Sequence, residues 1–380
     1  MKFFLLLKII LFKILRLNLA FLKREITGYP EFVKKFEKNF AKFIGKEYGI
    51  TFCNGTSAIE AAVYALNFSP DDEILVTSNI FHAALGPIIN LDCKPVFVDI
   101  DSESLTIDCV DLKNKITQKT KGLLIVHPWG YPCNMDKIIK IVNDNKLKLI
   151  EDCSHSHGAL YGEKKVGSFA DISCFSLQGA KSIAAGEGGI SLTNNKDYLL
   201  KMSVYGHFGR HEKDLNQNDK FRKFSKTGIS KKLRAHPLGI CLAIEDFNNL
   251  SSLNNYKRKI YNNIDKILEN YNGIKCMKTN NGGQKGGFFG GYPLIFEDIT
   301  HIQKIKENFK KYKLNLIPNP WLLYHKMEMY NAINYDLPVT EKINDHFFLI
   351  GIPYFLNFNF KSLKKCLKEC KKNNLIQNIN

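Results

Sequence analysis

An acidic pair stands at the end of an apolar segment near the middle of the chain. The residues LKLIED are typical of a buried β-strand that finishes at Glu151-Asp152, and ligand crevices in α/β sheets form outside the carboxyl ends of the strands. A carboxylate there can pair with a protonated pyridine nitrogen and keep the ring cationic, so that the ring accepts electrons from a carbanion. Asp152 can equally be a simple cap of the next helix. Both interpretations stay open for this residue alone.

A lysine follows 29 residues later (181 − 152), between the apolar segments ISCFSL and GGISLT and beside the glycine-rich turn 186–189. A buried amine is costly unless its charge is paired or removed. An imine with a cofactor aldehyde uses that setting, because desolvation lowers the pKa of the amine and frees its lone pair. The released amine can then carry a proton between the substrate carbon and the cofactor. The alternative is that Lys181 extends its amine into solvent.

The turn Asn54-Gly55-Thr56-Ser57-Ala58 connects a predicted strand to a predicted helix. Backbone N–H groups at a helix N-terminus form an anion site, which suits a cofactor phosphate. Ser176, five residues before Lys181, adds a hydroxyl. The same turn is also an ordinary N-cap. A carboxylate, a buried amine and a phosphate turn together predict pyridoxal 5'-phosphate as the cofactor, and we expect no metal site.

Short apolar strands alternate with helical segments up to about residue 250. This pattern predicts an α/β fold, with a mostly parallel sheet covered by helices on both faces. Beyond residue 250 helices alternate with fewer strands, which predicts a smaller C-terminal α+β domain. We therefore divide the chain into an N-terminal basic helix (1–27), a large cofactor-binding domain (28–250) and a small domain (251–380).

Residues 2–24 alternate short apolar runs with single cations. At 100° per residue Lys2, Lys13, Arg16, Lys23 and Arg24 share one helical face, while Lys8 lies off it. The apolar runs are too short for a spanning helix, which needs about 20 apolar residues. Two hypotheses follow: a helix on an anionic membrane surface, or a helix packed against the body or a partner subunit.

The chain has 380 residues and a net charge of +17. Its lysines are scattered and no zinc-finger or RNP-type motif accompanies them, so we predict no nucleic-acid binding. Ten cysteines without a CxxC pair indicate reduced packing residues and a cytoplasmic protein.

These segments, in this order, resemble the DegT/StrS family of sugar aminotransferases over roughly residues 28 to 355. The motifs that carry the resemblance are FEKNFAKFIGKEYGITFCNGTSAIEAA, KPVFVDID and EDCSHSHGALYGEKKVGSFADISCFSLQGAKSIAAGEGG. The resemblance implies the fold type I of pyridoxal-phosphate-dependent transferases, with a seven-stranded-type sheet sandwiched by helices. It also implies a homodimer with shared active sites.

The resemblance implies a role for single residues. Gly55, Thr56 and Ser176 hold the phosphate, Phe81 stacks on the cofactor ring, Asp152 faces the ring nitrogen and Lys181 forms the imine. His155 stands where many members have a glutamine near the cofactor's phenolic oxygen. The segment KKLRAHPLG (231–239) resembles one that reaches the neighbouring subunit's site, and His325 resembles a histidine near the substrate.

The chain also departs from the family pattern. Lys232 stands where many members have an asparagine that contacts the phosphate, and lysine can contact it as a point charge. His155, together with His157 and HPL at 236–238, resembles the branch that contains aminocyclitol aminotransferases and 3-amino-5-hydroxybenzoate synthase. A branch that performs dehydration carries histidine at the imine position, whereas this chain keeps Lys181.

The basic segment 210–234, which includes Arg234, is either a solvated loop or a rim that attracts an anionic keto substrate. The leading hypothesis is transfer of an amino group from glutamate or glutamine to a keto sugar (nucleotide-linked), a cyclitol or a small phosphorylated ketone, in polysaccharide or secondary-metabolite biosynthesis. The alternatives are a pyridoxal-phosphate-dependent dehydratase or bifunctional synthase, and an inactive membrane-associated scaffold.

Overall fold

A computed structural model describes residues 2–207, 209–330, 335–352 and 358–378. Its helices are α1 (Lys2–Leu22), α2 (Glu31–Ile44), α3 (Gly55–Leu66), α4 (Gly86–Ile89), α5 (Cys109–Asn114), α6 (Met135–Asp144), α7 (Lys196–Gly206), α8 (Glu212–Asn216), α9 (Pro237–Leu268), α10 (Ile302–Lys311), α11 (Pro338–His346) and α12 (Phe360–Lys372). Its strands are β1 (Tyr48–Phe52), β2 (Glu73–Thr77), β3 (Lys94–Val98), β4 (Thr120–Val126), β5 (Lys148–Asp152), β6 (Leu160–Tyr161), β7 (Lys164–Lys165), β8 (Ile172–Ser176), β9 (Gly189–Thr193), β10 (Tyr271–Asn272), β11 (Ile274–Cys276), β12 (Gly283–Gln284), β13 (Tyr292–Phe296), β14 (Leu316–Pro318), β15 (Phe347–Ile350) and β16 (Gln377–Asn378).

The central sheet has seven strands in the order β1-β9-β8-β5-β4-β2-β3. Neighbouring strands from β8 to β3 run parallel, while β9 runs antiparallel to both β1 and β8. The predicted α/β fold with a mostly parallel seven-stranded sheet is confirmed. Buried strands of this kind are apolar on both faces because helices cover both sides. In this register Asp152 pairs with Val126 of β4 and Cys174 of β8.

Helices on either side bury the sheet. Helix α2 buries Phe36 and Phe40 and is capped by Gly45 with a φ of 94°, a left-handed conformation that favours glycine. On the other face α3 packs through small residues, since Ala58, Ala61 and Ala62 are fully buried. Small side chains let α3 lie close to the sheet, and this closeness positions its N-terminus at the site described below.

A second, four-stranded antiparallel sheet has the order β11-β13-β15-β14 and packs against α10, α12 and the second half of α9. Helix α9 is continuous from Pro237 to Leu268, so the boundary predicted at residue 250 falls inside one helix. The division of the chain into domains stays a prediction.

The N-terminal segment is helical, as α1, and lies along α9. Lys13 Nζ pairs with Asp246 Oδ1 at 2.8 Å, and Arg16 pairs with Glu245. Of the two hypotheses for this segment, α1 shows packing against the body, and two of the five cations predicted to share a face form ion pairs there. Within the described ranges, no helix is long and apolar enough to cross a membrane.

Candidate active site

Asp152 is buried at the carboxyl end of β5, 6 % exposed. Its Oδ1 accepts a hydrogen bond from the Ser154 amide at 2.9 Å, and the Ser154 hydroxyl accepts one from the Ser176 amide at 3.1 Å. Burial raises the pKa of the Asp152 carboxyl, while Ser154 and the charge of Lys181 act to lower it. The carboxyl is therefore held in place beside the strand that carries Ser176, in a setting that favours a cationic partner.

Glu151 points to the opposite face of the sheet, because successive side chains of a strand alternate. It accepts hydrogen bonds from the amides of Gly167, Phe169 and Ala170 at 2.8–3.0 Å and pairs with His127 Nε2 at 3.1 Å. Burial alone raises the pKa of Glu151, but the bonds from His127 and these amides bring it below its usual value. Glu151 thus has a structural role, and only Asp152 of the pair belongs to the site.

The ligand atoms of His127, Glu151 and Cys153 lie within 4.8 Å of one another, a spacing that could suggest a metal site. Both ring nitrogens of His127 have hydrogen-bond partners, however. Nδ1 accepts from the Cys133 amide at 3.0 Å, and Nε2 contacts Glu151. A histidine needs a free ring nitrogen to bind a metal. This cluster is a hydrogen-bonded group, and we assign no metal to it.

Lys181 lies in a closed loop between β8 and β9. The loop is held by backbone bonds from Leu177 to Gly188 O and from Gly179 to Gly186 O, at 2.8 and 2.7 Å. The lysine side chain is 8 % exposed, so it does not extend into solvent. Burial lowers the pKa of the amine to about 8, and the Asp152 carboxylate opposes that shift. The two side chains are therefore within electrostatic reach, as the sequence predicts.

An aromatic wall surrounds the amine. The Lys181 Nζ lies 3.5 Å from the centroid of the Phe289 ring, and Phe289 stacks on His155 at 4.2 Å. The His155 ring also stacks on Trp321, with 5.7 Å between the ring centroids, and Trp321 stacks on Trp129, with 4.4 Å between the centroids. Sequence reasoning did not identify Phe289, Trp129 or Trp321. The glycine pairs in GGFFGG (286–291) were the available signal for Phe289, because such glycines mark close approaches of the backbone.

His155 is 5 % exposed, and its Nδ1 accepts from the Trp129 amide at 3.4 Å. Burial and the charge of Lys181 hold its pKa well below the usual value, so the ring is neutral. Because Nδ1 accepts, the proton sits on Nε2, and that nitrogen is a donor. A glutamine amide also offers an N–H donor, so the neutral His155 presents the same kind of group.

The turn 54–57 caps helix α3 and borders a space that we consider for the cofactor phosphate. The Asn54 side chain accepts from the Ser57 amide at 2.7 Å, and the Ser57 hydroxyl lies 3.4 Å from Cys53 Sγ. A Cβ added to Gly55 would come within 2.9 Å of Ser176 Cβ, so only glycine leaves the space between them open. Of the predicted phosphate residues, Gly55 and Ser176 border that space. The Ser57 hydroxyl lies against Cys53 Sγ, and the Ser176 hydroxyl accepts a hydrogen bond from the Gln178 amide at 3.3 Å.

The remaining predicted residues lie around this centre. Phe81 is 48 % exposed just before the 3-10 turn 82–84, and the centroid of its ring lies 4.2 Å from that of His82. Lys232 is exposed and forms an isolated bridge with His207, while Arg234 forms one with Phe52 at the end of β1. The segment therefore passes close to the 54–57 turn. Arg210 is different from its basic neighbours, since it is buried and lies over the Tyr29 ring at 4.2 Å.

His325 is buried, 3 % exposed. Its Nε2 contacts Glu341 at 3.1 Å, and its ring lies 6.2 Å from Phe97 of β3. This places it at the end of the sheet where β3 lies, and its role toward a substrate stays a prediction.

The residues present fit pyridoxal phosphate. A buried carboxyl is available for the ring nitrogen, a buried amine of lowered pKa for the aldehyde, and a glycine cradle at a helix N-terminus for the phosphate. These three groups come from β5, the β8–β9 loop and the start of α3, at one edge of the sheet.

The chain is similar to known proteins in sequence. A family model described as the DegT/DnrJ/EryC1/StrS aminotransferase family matches residues 17–363. GDP-perosamine synthase of Escherichia coli O157:H7 is 39 % identical over 171 residues, which are 45 % of this chain and 47 % of that protein. The chain thus spans about half the length of the curated relatives it matches.

Solved structures share the fold over nearly the whole chain. A sugar aminotransferase from Micromonospora echinospora superposes with a TM-score of 0.82 at 18 % identity, over 94 % of this chain and 96 % of that one. The GDP-4-keto-6-deoxy-D-mannose-3-dehydratase of E. coli, solved with bound hydrated pyridoxal phosphate, gives 0.81 at 22 % identity, over 94 % and 96 %. The same fold therefore serves both amino transfer and dehydration in these proteins.

Proposed function

Since this chain belongs to the DegT/DnrJ/EryC1/StrS aminotransferase family, we propose that it is a pyridoxal-phosphate-dependent aminotransferase. The observation that carries the proposal is the buried Lys181 amine, whose pKa is lowered to about 8 within reach of the Asp152 carboxyl. A lysine in this state has a free lone pair far more often than a surface lysine. It can attach to an aldehyde and also exchange a proton near neutral pH.

Each residue of the site has a defined task in this proposal. Pyridoxal phosphate supplies an aldehyde conjugated to an electron-accepting pyridine ring. Asp152 holds the proton on the ring nitrogen, and neutral His155 donates through Nε2. Lys181 Nζ attaches the cofactor and later carries the proton at the reacting carbon. Gly55, Thr56 and Ser176 bind the phosphate, and the wall around Phe289 keeps water from the amine.

The proposed acceptor is a nucleotide-linked keto sugar, and the proposed donor is glutamate or glutamine. Support comes from the names of the relatives, among them GDP-perosamine synthase and a dTDP-aminosugar transaminase. A cyclitol is the second acceptor class, because a relative is named as an aminotransferase of 3-amino-2,3-dideoxy-scyllo-inosose. The exposed cations of 210–234 suit an anionic substrate. We propose the cytoplasm as the place of action, since all ten cysteines are free thiols.

The two half-reactions test this function separately. The protein loaded with pyridoxal phosphate is mixed with glutamate or glutamine, and the absorbance of the bound cofactor is followed. GDP- or dTDP-linked 4-keto sugars and keto cyclitols are then added in turn. We expect the donor to change the spectrum and one acceptor class to restore it. Lys181→Ala should do neither, and Lys257→Met, which changes another buried lysine, should do both. Turnover by Lys181→Ala at the wild-type rate would disprove the proposal.

Dehydration is the second candidate, because a dehydratase has the same fold. The lysine at position 181 favours amino transfer, since the related dehydrating branch carries histidine there. Product analysis separates the two: loss of water from the keto sugar without incorporation of the donor's amine would support dehydration. An inactive scaffold has no need for a buried amine beside a buried carboxyl, and any turnover excludes it.

We also propose a homodimer whose two sites are shared. The segment 231–239, which contains the exposed Lys232 and resembles one that reaches the neighbouring subunit's site, supports this arrangement. Mixing Lys181→Ala with Lys232→Ala dimers would then create one intact site in each mixed dimer. The mixture should recover up to about a quarter of the wild-type activity if subunits pair at random. No recovery from subunits shown to have exchanged would mean that the sites are not shared.

A further inference from the structure

Helix α1 packs against α9 with its polar side. Ile9, Lys13, Arg16 and Ala20 recur at the spacing of one helical face, and Ile9 and Ala20 are each 3 % exposed. Between them, Lys13 and Arg16 pair with Asp246 and Glu245 of α9, whose side chains are 5 % and 7 % exposed. Lys13 and Arg16, two of the cations on this face, are therefore paired with acidic residues of the body of the protein.

The opposite face of α1 is apolar and uncovered. Ten large apolar side chains between residues 4 and 22 are exposed by 41–80 %: Phe4, Leu7, Ile10, Leu11, Phe12, Ile14, Leu15, Leu19, Phe21 and Leu22. At 100° per residue they span roughly 200° of the helix circumference. With side chains of roughly 150–250 Å² each, the patch is on the order of 1000 Å², more than monomeric soluble proteins usually expose.

A second copy of the chain fits this face poorly. A twofold axis would place the same face against itself, and Lys8 lies within that face. Residues 2–24 contain no acidic residue to pair with it, and burying an unpaired ammonium is costly. Lys8 would thus lie in an apolar interface without a counter-charge.

A lipid surface fits the same face well. The Lys8 side chain can extend its ammonium to the headgroups while its methylenes stay in the apolar layer. The chain leaves the helix after Leu22, with Arg24 at a φ of 55°, and the exposed Lys23 and Arg24 would meet the lipid phosphates there. The helix is about 31 Å long at 1.5 Å per residue, enough to lie in the membrane plane as interfacial helices do.

We infer that the outward apolar face of α1 docks the protein on a phospholipid bilayer, with α1 lying in the membrane plane. Lys13 and Arg16 remain paired to α9 in the docked state and hold the helix to the body. Apolar contact drives the binding and the three exposed cations add to it, so the binding should survive salt that screens charges. This differs from adsorption through a cationic face, which salt would abolish.

Flotation of the full-length protein with vesicles tests this inference. The vesicles are phosphatidylcholine with a minor share of phosphatidylglycerol, at low and at high salt. We expect the wild type to float at both, and Leu11→Glu with Leu15→Glu to reduce the bound fraction about tenfold or more. Val110→Glu, which changes another exposed apolar residue (69 % exposed), is the matched control and should float like the wild type.

Because Leu11 and Leu15 are 56 % and 51 % exposed, the double variant should keep its melting temperature and its activity in solution. Flotation of the double variant at the wild-type level would overturn the inference. So would binding that is lost at high salt, or a wild type that does not float. A variant that changes the oligomeric state without changing lipid binding would assign the face to a second copy instead.

Discussion

The amine of Lys181 lies 3.5 Å from the centroid of the Phe289 ring. These residues are 108 positions apart (289 − 181) and lie in two different loops, one between β8 and β9 and the other between β12 and β13. Phe289 reaches the amine because its loop is held at its start: the Gly287 amide donates to Asn254 Oδ1 at 3.0 Å, and Gly286 and Gly287 pack directly on the backbone of 155–159. The Lys181 amine in the loop between β8 and β9 is thus covered by the Phe289 side chain from the loop before β13.

The free amine of Lys181 should therefore appear at lower pH than that of an ordinary lysine. Burial lowers the pKa from 10.5 to about 8, so about 300-fold more free amine is present at pH 7. The reaction of the protein without cofactor with added pyridoxal phosphate should accelerate as pH rises and level off above about 8. A rate that keeps rising toward pH 10.5 would contradict this assignment.

Replacing Phe289 by alanine should raise the midpoint pH, at which the rate of cofactor attachment to Lys181 is half of its plateau value. The change admits water to the amine, which relieves the burial that disfavours its charge, and it also removes a cation–π contact that favours the charge. Burial is the larger effect, since a cation–π contact is worth about 0.5–2 kcal/mol and a shift of 2.5 units corresponds to about 3.4 kcal/mol. We expect a rise of roughly one unit, measured by the pH dependence of cofactor attachment. Leu322→Ala, at a residue 58 % exposed, should leave the midpoint in place.

Asp152 and Glu151 are neighbours in sequence, but their amide variants should affect different properties of the protein. Asp152→Asn removes the charge for the ring nitrogen, so turnover should fall by about 10²-fold or more. It also removes the charge that raises the Lys181 pKa, so the midpoint should move below 8. Glu151→Gln should lower the melting temperature instead, because Glu151 binds three amides and His127. Equal effects of both variants on the midpoint would refute the separation of their roles.

Gly55→Ala should weaken the binding of pyridoxal phosphate. The added Cβ would meet Ser176 Cβ at 2.9 Å and narrow the space that we assign to the phosphate. We expect the Kd to rise about 10-fold to 100-fold, or about 1.4–2.8 kcal/mol, in a fluorescence titration. Gly86→Ala is the control, since a Cβ there meets nothing within 4 Å. Unchanged affinity in Gly55→Ala would place the phosphate elsewhere.

Much of the fold and the centre of the site follow from local patterns. The apolar strands and the glycine turns are encoded within a few residues. The parallel order of β5 and β8 brings Asp152 and Ser176 to one edge of the sheet, where Lys181 follows directly. These relations need only strand direction and spacing, so the sequence was sufficient to predict them.

The aromatic wall and the orientation of α1 depend on long-range packing. Trp129, Phe289 and Trp321 meet through loops between distant elements, and no periodic pattern places such loops. For α1, helical periodicity grouped the cations on one face, but it did not reveal that Asp246 and Glu245 of α9 would pair with two of them. What a helical face packs against depends on the tertiary structure. The sequence alone therefore did not determine what either face of α1 contacts.

Covalent trapping of the cofactor tests the central claim most directly. The protein is loaded with pyridoxal phosphate, reduced with borohydride and digested, and the modified lysine is identified by mass spectrometry. Lys257 is a strict internal control, because it is 7 % exposed and burial also lowers its pKa to about 8. The account predicts modification at Lys181 and an unmodified Lys257. Modification of Lys257 or another lysine, with Lys181 untouched, would contradict it.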